Sequence, residues 1–431
     1  MDRIRDHSLP TGPLFMKRLG VTWLRSGALF LACTSMAWAW VLPAAAAEKD
    51  AEKIVFQGSM PLPDRARDAA GNEVEITGLS GVAWLGDDRY VAVLDNSRYL
   101  LLFRLSLSQT GKPLAVESLE AVKLSQRHDY EDVVPCPAPV ARGIERERWR
   151  GRPESRDVDR RDDAEFVLVC EEDTPAIRAF SLPDGGMVGA VPLPDNLMTR
   201  RPNRGLESLA IEPDGRSLWT ANEEALPADG PPAAADAGTV VRLTRLPLPA
   251  DGQDARERPV PADEAEAVAA LQVAYQVDPV HTFLRVLSGQ PLSGLSALVA
   301  LGKGHLLTLE RSGAPGLPPF ASRIYLVDTA SAVDVSGVER DLASRPEAFV
   351  KKRLLWKDSL GINLEGLCLG PRLADGSRGL VGIADNGGIS TPNQLVGLSL
   401  VTPAPAVEPG VLGAVAALVA IALVVGRLTS P

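Results

Sequence analysis

The stretch NLEGLCLGPRLADGSRGLVGIADN, Asn363 to Asn386, reads as one β-hairpin. An apolar strand starts just after Glu365, a turn carries Asp375-Gly376, and a second apolar strand ends on Asp385-Asn386. Upstream the same pattern is written four more times. The first copy runs from Gly78 to Trp84, turns at Gly86-Asp87-Asp88 and returns from Tyr90 to Asp95-Asn96-Ser97. The second opens at Asp129-Tyr130-Glu131 and returns from Glu165 to Glu171-Glu172-Asp173. The third, Arg204 to Ile211, turns at Pro213-Asp214-Gly215 and ends on Asn222-Glu223-Glu224. The fourth, Ser293 to Val299, turns at Gly302-Lys303-Gly304 and ends on Glu310-Arg311-Ser312.

Two further apolar runs follow most hairpins: 100–107 and 116–124, 177–182 and 187–193, 239–246 and 268–277, 324–327 and 350–356. A repeat of about 50 to 90 residues built from four short strands is a β-propeller blade. One twisted sheet cannot bury both faces alone, so neighbours must stack around an axis. The expected fold is all-β, a propeller with five visible blades and room for a degenerate sixth in an insertion. The fifth unit lacks its fourth strand, whereas residues 52–60 form an orphan strand. That strand is expected to complete the last blade and close the ring. The segment from Pro137 to Ala164, rich in Arg, Asp, Glu and Pro, reads as a long exposed loop.

Aligning the copies puts Ser80, Glu131, Glu207, Ser296 and Glu365 at one position, and Asp95, Glu171, Asn222, Glu310 and Asp385 at the end of the return strand. In a propeller the first strand of each blade lines the channel, and its antiparallel neighbour returns to the same end. Both sets therefore gather at one mouth. So many carboxylates repel unless neutralised, and a hard cation with oxygen ligands, Ca²⁺ above all, would neutralise them and polarise a phosphate. Glu131, Glu207 and Glu365 are the candidate catalytic groups, and Asp95, Glu310 and Asp385 the candidate metal ligands. Arg204, Arg311, Ser80 and Ser296 are the candidate substrate contacts, since a guanidinium fork suits phosphate or carboxylate. The alternative is that these groups cap strands and hold channel water. Ser80, Ser296 and His128 give a weaker case for serine catalysis, because no GxSxG elbow exists and His305 sits in a turn at the opposite end.

Three motifs occur in order: Arg204-Gly205-Leu206-Glu207-Ser208-Leu209, Leu309-Glu310-Arg311-Ser312, and Asn363-Leu364-Glu365-Gly366-Leu367-Cys368-Leu369-Gly370-Pro371-Arg372. Together they resemble the bacterial phytase-like family, also described as "esterase-like activity of phytase", from about Gly78 to Leu400. The resemblance implies a propeller-type, usually exported domain and, by the family's label, a hydrolase of esters or phosphoesters. It carries over no catalytic residue.

The ends have their own logic. Basic residues precede an apolar run near 27–42, and Ala44-Ala45-Ala46-Ala47 offers a cleavage site, so 1–47 read as a signal peptide. A Pro-rich linker, 403–409, leads to the apolar 410–427, read as a transmembrane helix. The domain between them is 48–402, on the exported, periplasmic or cell-surface side of a membrane. The 431 residues, 45% hydrophobic with net charge −10, supply an ample core and show no basic stripe for nucleic acid. Expected partners are a small anionic or ester substrate and the membrane. After removal of the leader, Cys136, Cys170 and Cys368 remain. The proposed register sets Cys136 and Cys170 roughly 17 Å apart, too far to bridge, so free thiols are expected. The expected function is hydrolysis of a phosphate or carboxylic ester at the acidic mouth; the rival is a non-catalytic binding or scaffolding propeller.

Overall fold

Each apolar run of the repeat is a β-strand in the computed structural model, which describes residues 52–148, 165–249, 270–358, 361–385 and 392–402. The expected leader (1–47), linker (403–409) and apolar segment (410–427) lie outside the described residues. Among the described residues no helix is long and apolar enough to cross a membrane.

In chain order, β1 (Lys53–Pro61) is followed by β2 (Arg65–Asp68), β3 (Glu73–Glu75), β4 (Leu79–Gly86), β5 (Arg89–Leu94), β6 (Ser97–Leu107) and β7 (Pro113–His128). These last six make blade 1, a sheet of order β3-β2-β7-β6-β5-β4. Blade 2 joins β8 (Tyr130–Cys136), β9 (Glu165–Glu171), β10 (Ala176–Leu182) and β11 (Met187–Val191). Blade 3 joins β12 (Leu206–Ile211), β13 (Ser217–Asn222), β14 (Val240–Pro247) and β15 (Leu271–Gln276). A two-residue strand β16 (Leu284–Arg285) pairs with β19 (Gly316–Leu317) beside blade 4, which consists of β17 (Leu292–Gly302), β18 (His305–Gly313), β20 (Phe320–Asp328) and β21 (Lys352–Lys357). Blade 5 joins β22 (Leu364–Arg372), β23 (Arg378–Ala384), β24 (Gln394–Val401) and, as its outer strand, β1.

The ring thus has five blades, with no sixth among the described residues, and the N-terminal strand closes it: Ile54 faces Leu400 and Met60 faces Leu395 across β1–β24. The inner strands β4, β8, β12, β17 and β22 touch one another in sequence and back to β4. Five apolar clusters fill the five interfaces between blades. Leu79, Tyr90 and Phe103 of blade 1 meet Val381 and Ile383 of blade 5. Val91 and Val93 meet Val167 and Val169 between blades 1 and 2. The remaining clusters join blades 2 and 3, 3 and 4, and 4 and 5.

Two local expectations change. The segment after Cys136 is not all loop: α1 (Ala138–Arg148) covers the seam between blades 2 and 3. Its apolar face is only Val140, Ala141 and Ile144, one turn's worth among charges, which is why no periodicity showed. Residues 65–75, unassigned in the sequence reading, form the hairpin β2–β3 that widens blade 1, with β2 parallel to β7. The cysteines behave as expected. Cys136 pairs with Phe166, four positions from Cys170, and all three described cysteines are free and buried.

Candidate functional site

The aligned marker of the sequence is a structural device. In every blade the pairing of the inner strand slips by a bulge, and the slip includes Ser80, Glu131, Glu207, Ser296 or Glu365: between Leu79 and Val82, Tyr130 and Val133, Leu206 and Ser208, Leu295 and Ala297, and Leu364 and Gly366. A bulge inserts an unpaired residue and re-aims its side chain. Here it breaks the strict alternation of the strand at the point where the strand enters the channel. Close approach makes this workable. A Cβ on Gly81 would sit 2.4 Å from the Asp132 Cα of the next blade, and one on Gly366 would sit 2.6 Å from the Ser80 carbonyl oxygen. Asp132, fully inside, accepts from the amides of Val133 (2.8 Å) and Leu209 (2.7 Å), tying blade 2 to blade 3 beneath the mouth.

Above these bulges lies a cavity of about 210 Å³. Eight carboxylates line it: Asp95, Asp129, Glu131, Glu172, Glu207, Glu223, Glu365 and Asp385, with Ser80, Arg204 and Arg311 among them. Oxygens of Asp95, Asp129 and Glu131 converge within 4.8 Å of one another. The Ser80 hydroxyl donates to Glu131 Oε2 (2.7 Å). Arg311 is the hub of the other side: it donates to Glu223 Oε1 (2.7 Å) and Glu365 Oε1 (2.6 Å) and lies 3.8 Å from Glu207. Arg204 pairs with Glu223 at 2.9 Å, and Asn363 Nδ2 donates to Glu365 Oε1 (2.7 Å).

Eight acids against two guanidiniums cannot all ionise cheaply in so small a space. Burial pushes the Asp95 carboxyl up to about 8, helped by the hydrogen bond and charge of Asp129. Glu172 rises to about 7 because it is buried, although the Gly205 amide at 2.6 Å opposes the shift. Glu365 also rises to about 7, burial outweighing the pull of Arg311. Burial lifts Glu131 and Glu207 well above the carboxylate range. Burial works against the Arg311 charge, but Glu365, Glu223 and Glu207 more than hold it on. Two polar atoms of the lining side chains are buried without a hydrogen-bond partner, Asp129 Oδ1 and Arg311 Nε. An oxygen set with a free lone pair beside two further carboxylates fits a hard cation.

Most of the residues picked from the sequence reach the cavity, and a register error and one unassigned acid account for those missed. Ser80, Glu131, Glu207, Glu365, Asp95, Asp385, Arg204 and Arg311 all reach the cavity. Glu310 does not. It pairs with Leu295, so it points to the other face of β18 and is held by Lys352 (2.5 Å) and Tyr275 (2.6 Å) between blades 3 and 4. Ser296 occupies the bulge of blade 4 but does not line the cavity. Glu171, opposite Tyr130, turns to Arg178 (2.5 Å), and Asn222 pairs with Leu206 and likewise does not line the cavity. The residues that do reach it from those strands come one position later: Glu172, Glu223 and Arg311. Asp129 also went unassigned. It stands where the other copies have Gly78, Gly205, Gly294 and Asn363, and that aligned exception was the available signal. His128 lies outside the cavity, 3.3 Å from Asp173. His305 lies at the opposite end, as expected.

A family model described as "Phytase-like: Esterase-like activity of phytase" matches residues 74–388. The chain belongs to the phytase-like family. The match contains every residue lining the acidic cavity; of the described strands it leaves out β1, β2, the first residue of β3, and β24. No curated protein sequence matches the chain. Among solved structures the phytase-like chain is similar to a PQQ-bound aldose sugar dehydrogenase from Streptomyces coelicolor, at 8% identity and TM-score 0.33, covering 82% of this chain and 100% of that one. It is also similar to an arabinanase from Bacillus subtilis, at 13% identity and TM-score 0.32, covering 74% and 93%. Similarity at this level carries no statement about chemistry.

Proposed function

We propose that this phytase-like propeller is an exported, membrane-anchored hydrolase of phosphate or carboxylic esters that works with Ca²⁺ at its acidic mouth. The observation that carries the reading is the convergence of Asp95, Asp129 and Glu131 within 4.8 Å, open to a cavity that also presents Arg204 and Arg311. Asp95, Asp129 and Glu131 would hold the cation, with Asp385 on the same rim. Ca²⁺ bound there would polarise an ester or phosphoryl oxygen and lower the pKa of a bound water. Glu365, pushed up to about 7 by burial, can accept and return a proton near neutral pH, and Glu207, which burial lifts well above the carboxylate range, stands beside it as a proton donor. Arg204, with 28% of its side chain exposed, is the cation best placed to grip an anionic group entering from solvent. Export and anchoring rest on the sequence of 1–47 and 410–427 alone.

The test uses the full chain. Ca²⁺ should raise the unfolding midpoint, chelation should reverse it, and p-nitrophenyl phosphate or p-nitrophenyl butyrate should be turned over only with the metal. Glu131→Gln should lower kcat by about 10²-fold or more. A binding propeller is the second reading. It is favoured by the pairing already made inside the cavity: Arg311 is spent on Glu223 and Glu365, and the Ser80 hydroxyl on Glu131. A Ca²⁺-dependent midpoint with no turnover of either ester would decide for it.

A further inference from the structure

The other end of the channel holds a second and larger cavity, about 770 Å³. It lies four residues further along each inner strand, about 13 Å from the bulges at the usual strand rise. There Ser80, Glu131, Glu207, Ser296 and Glu365 give way to Trp84, Pro135, Ile211, Ala300 and Leu369, all on its lining. The walls behind are aliphatic, from all five blades. The one carboxylate on the lining, Glu52, is already paired with Arg353 at 2.7 Å.

The rim has the opposite sign from the acidic mouth. Arg372 and Arg378 face each other across the β22–β23 hairpin, and both line the cavity together with Lys303. Like charges directly opposite on neighbouring strands repel. In a chain with 55 acidic and 45 basic residues, a carboxylate partner would be easy to supply. Neither arginine has one among the described residues. The Arg378 guanidinium instead lies over the Trp84 ring, 5.3 Å from its centroid, and its Nε is buried without a hydrogen-bond partner. Burial, and then the charge of Arg372, pulls the Arg378 pKa down, so an anion here would relieve a cost the empty pair bears.

We propose that this end of the channel binds an anionic amphiphile, its carboxylate or phosphate head on Arg372 and Arg378 and its acyl or aryl body against Trp84, Ile211 and Leu369. The volume is that of an ordinary small-molecule site, largely apolar with a few placed polar groups. The head would satisfy the forks bidentately, and the body would displace water from the aliphatic walls. This site is independent of the acidic mouth and of the reaction assigned to it.

Calorimetric titration of the full chain tests it with four probes: octanoate, octyl phosphate, octanol and inorganic phosphate. At least one of the two anionic amphiphiles should bind tenfold or more tightly than both octanol and phosphate, and the better one identifies the head group. Arg372→Gln with Arg378→Gln should weaken that ligand at least tenfold. Should the double variant not fold, Arg372→Gln alone, at an exposed position, carries the comparison. Ile211→Trp, which fills the cavity, should weaken the amphiphile while leaving inorganic phosphate unchanged. Equal affinity for octanol, equal affinity for phosphate alone, or an unchanged affinity in the arginine variants would each overturn the proposal.

Discussion

At the residue scale the acidic mouth depends on one cation. Arg311 contacts Glu223 and Glu365 directly and Glu207 at longer range, with 15% of its side chain exposed. Removing one partner of a buried ionic cluster leaves uncompensated charge, typically a loss of about 3–5 kcal/mol. Arg311→Ala should therefore lower stability by about that amount in urea unfolding, and Ca²⁺ should restore part of it. The carboxyls make a second prediction. Asp95 at about 8, and Glu172 and Glu365 at about 7, lie above their unfolded values, roughly 4. The folded state then binds more protons than the unfolded one across that window. Stability without metal should be greatest at the acid end and fall as pH rises from about 4.5 to 8, flattening above it. Since Ca²⁺ competes with those protons, its affinity should rise over the same window. Titration calorimetry in buffers of different ionisation enthalpy counts the protons released; a count of zero at neutral pH would contradict the assignment. The bulge residues were legible because they fall at one aligned position in all five copies, near the start of each apolar strand. Glu310 was misplaced because Glu310-Arg311, like Glu171-Glu172 and Asn222-Glu223, is a polar run whose register is ambiguous by one. A slip of one turns a side chain to the other face.

At the element scale the site is a property of five bulged inner strands that approach one another closely at glycines such as Gly81 and Gly366. That closeness needs glycine at the crossing of blades 5 and 1, where a Cβ on Gly366 would meet backbone, the Ser80 carbonyl oxygen at 2.6 Å. Backbone cannot swing aside as a flexible side chain can. Gly366→Ala should cost about 1–3 kcal/mol by overpacking and should also weaken Ca²⁺ binding, because it pushes β4 and β22 apart at the level of Ser80 and Glu365. Thermal unfolding with and without Ca²⁺ separates the two effects; a stability loss with unchanged Ca²⁺ affinity would show that the strands yield elsewhere. The bulges themselves were not legible. A period of two survives on each side of an inserted residue, and the marker spacing says nothing of where the extra residue sits. Helix α1 was hidden for a different reason. Its buried face is a single turn, while five of its eleven residues are charged, so composition outweighed pattern.

On the scale of the whole molecule, stability depends on closing a ring. Blade 5 is made from both ends of the domain: β22, β23 and β24 from the C-terminal side and β1 from the N-terminal side. This was readable from the sequence, because an orphan strand at one end and a missing strand at the other leave one arrangement that satisfies both. Without β1, the backbone edge of β24 is exposed, and the cluster between blades 4 and 5 loses Ile54, which is 5% exposed and packs in one cluster with Leu355, Leu398 and Leu400. Ile54→Ala removes apolar contacts from a buried site, a change that costs about 2–5 kcal/mol when the site cannot collapse. Because the five interfaces are joined in a circle, the loss should be felt globally. Urea unfolding followed by tryptophan fluorescence and by far-UV circular dichroism should shift to lower denaturant together, as one transition with an unchanged slope. If β1 instead frays alone, the main transition will stay where it was, and only amides of β1 and β24 will gain hydrogen exchange. That outcome would mean that β22, β23 and β24 suffice to close the ring of five interfaces and that β1 merely covers an edge.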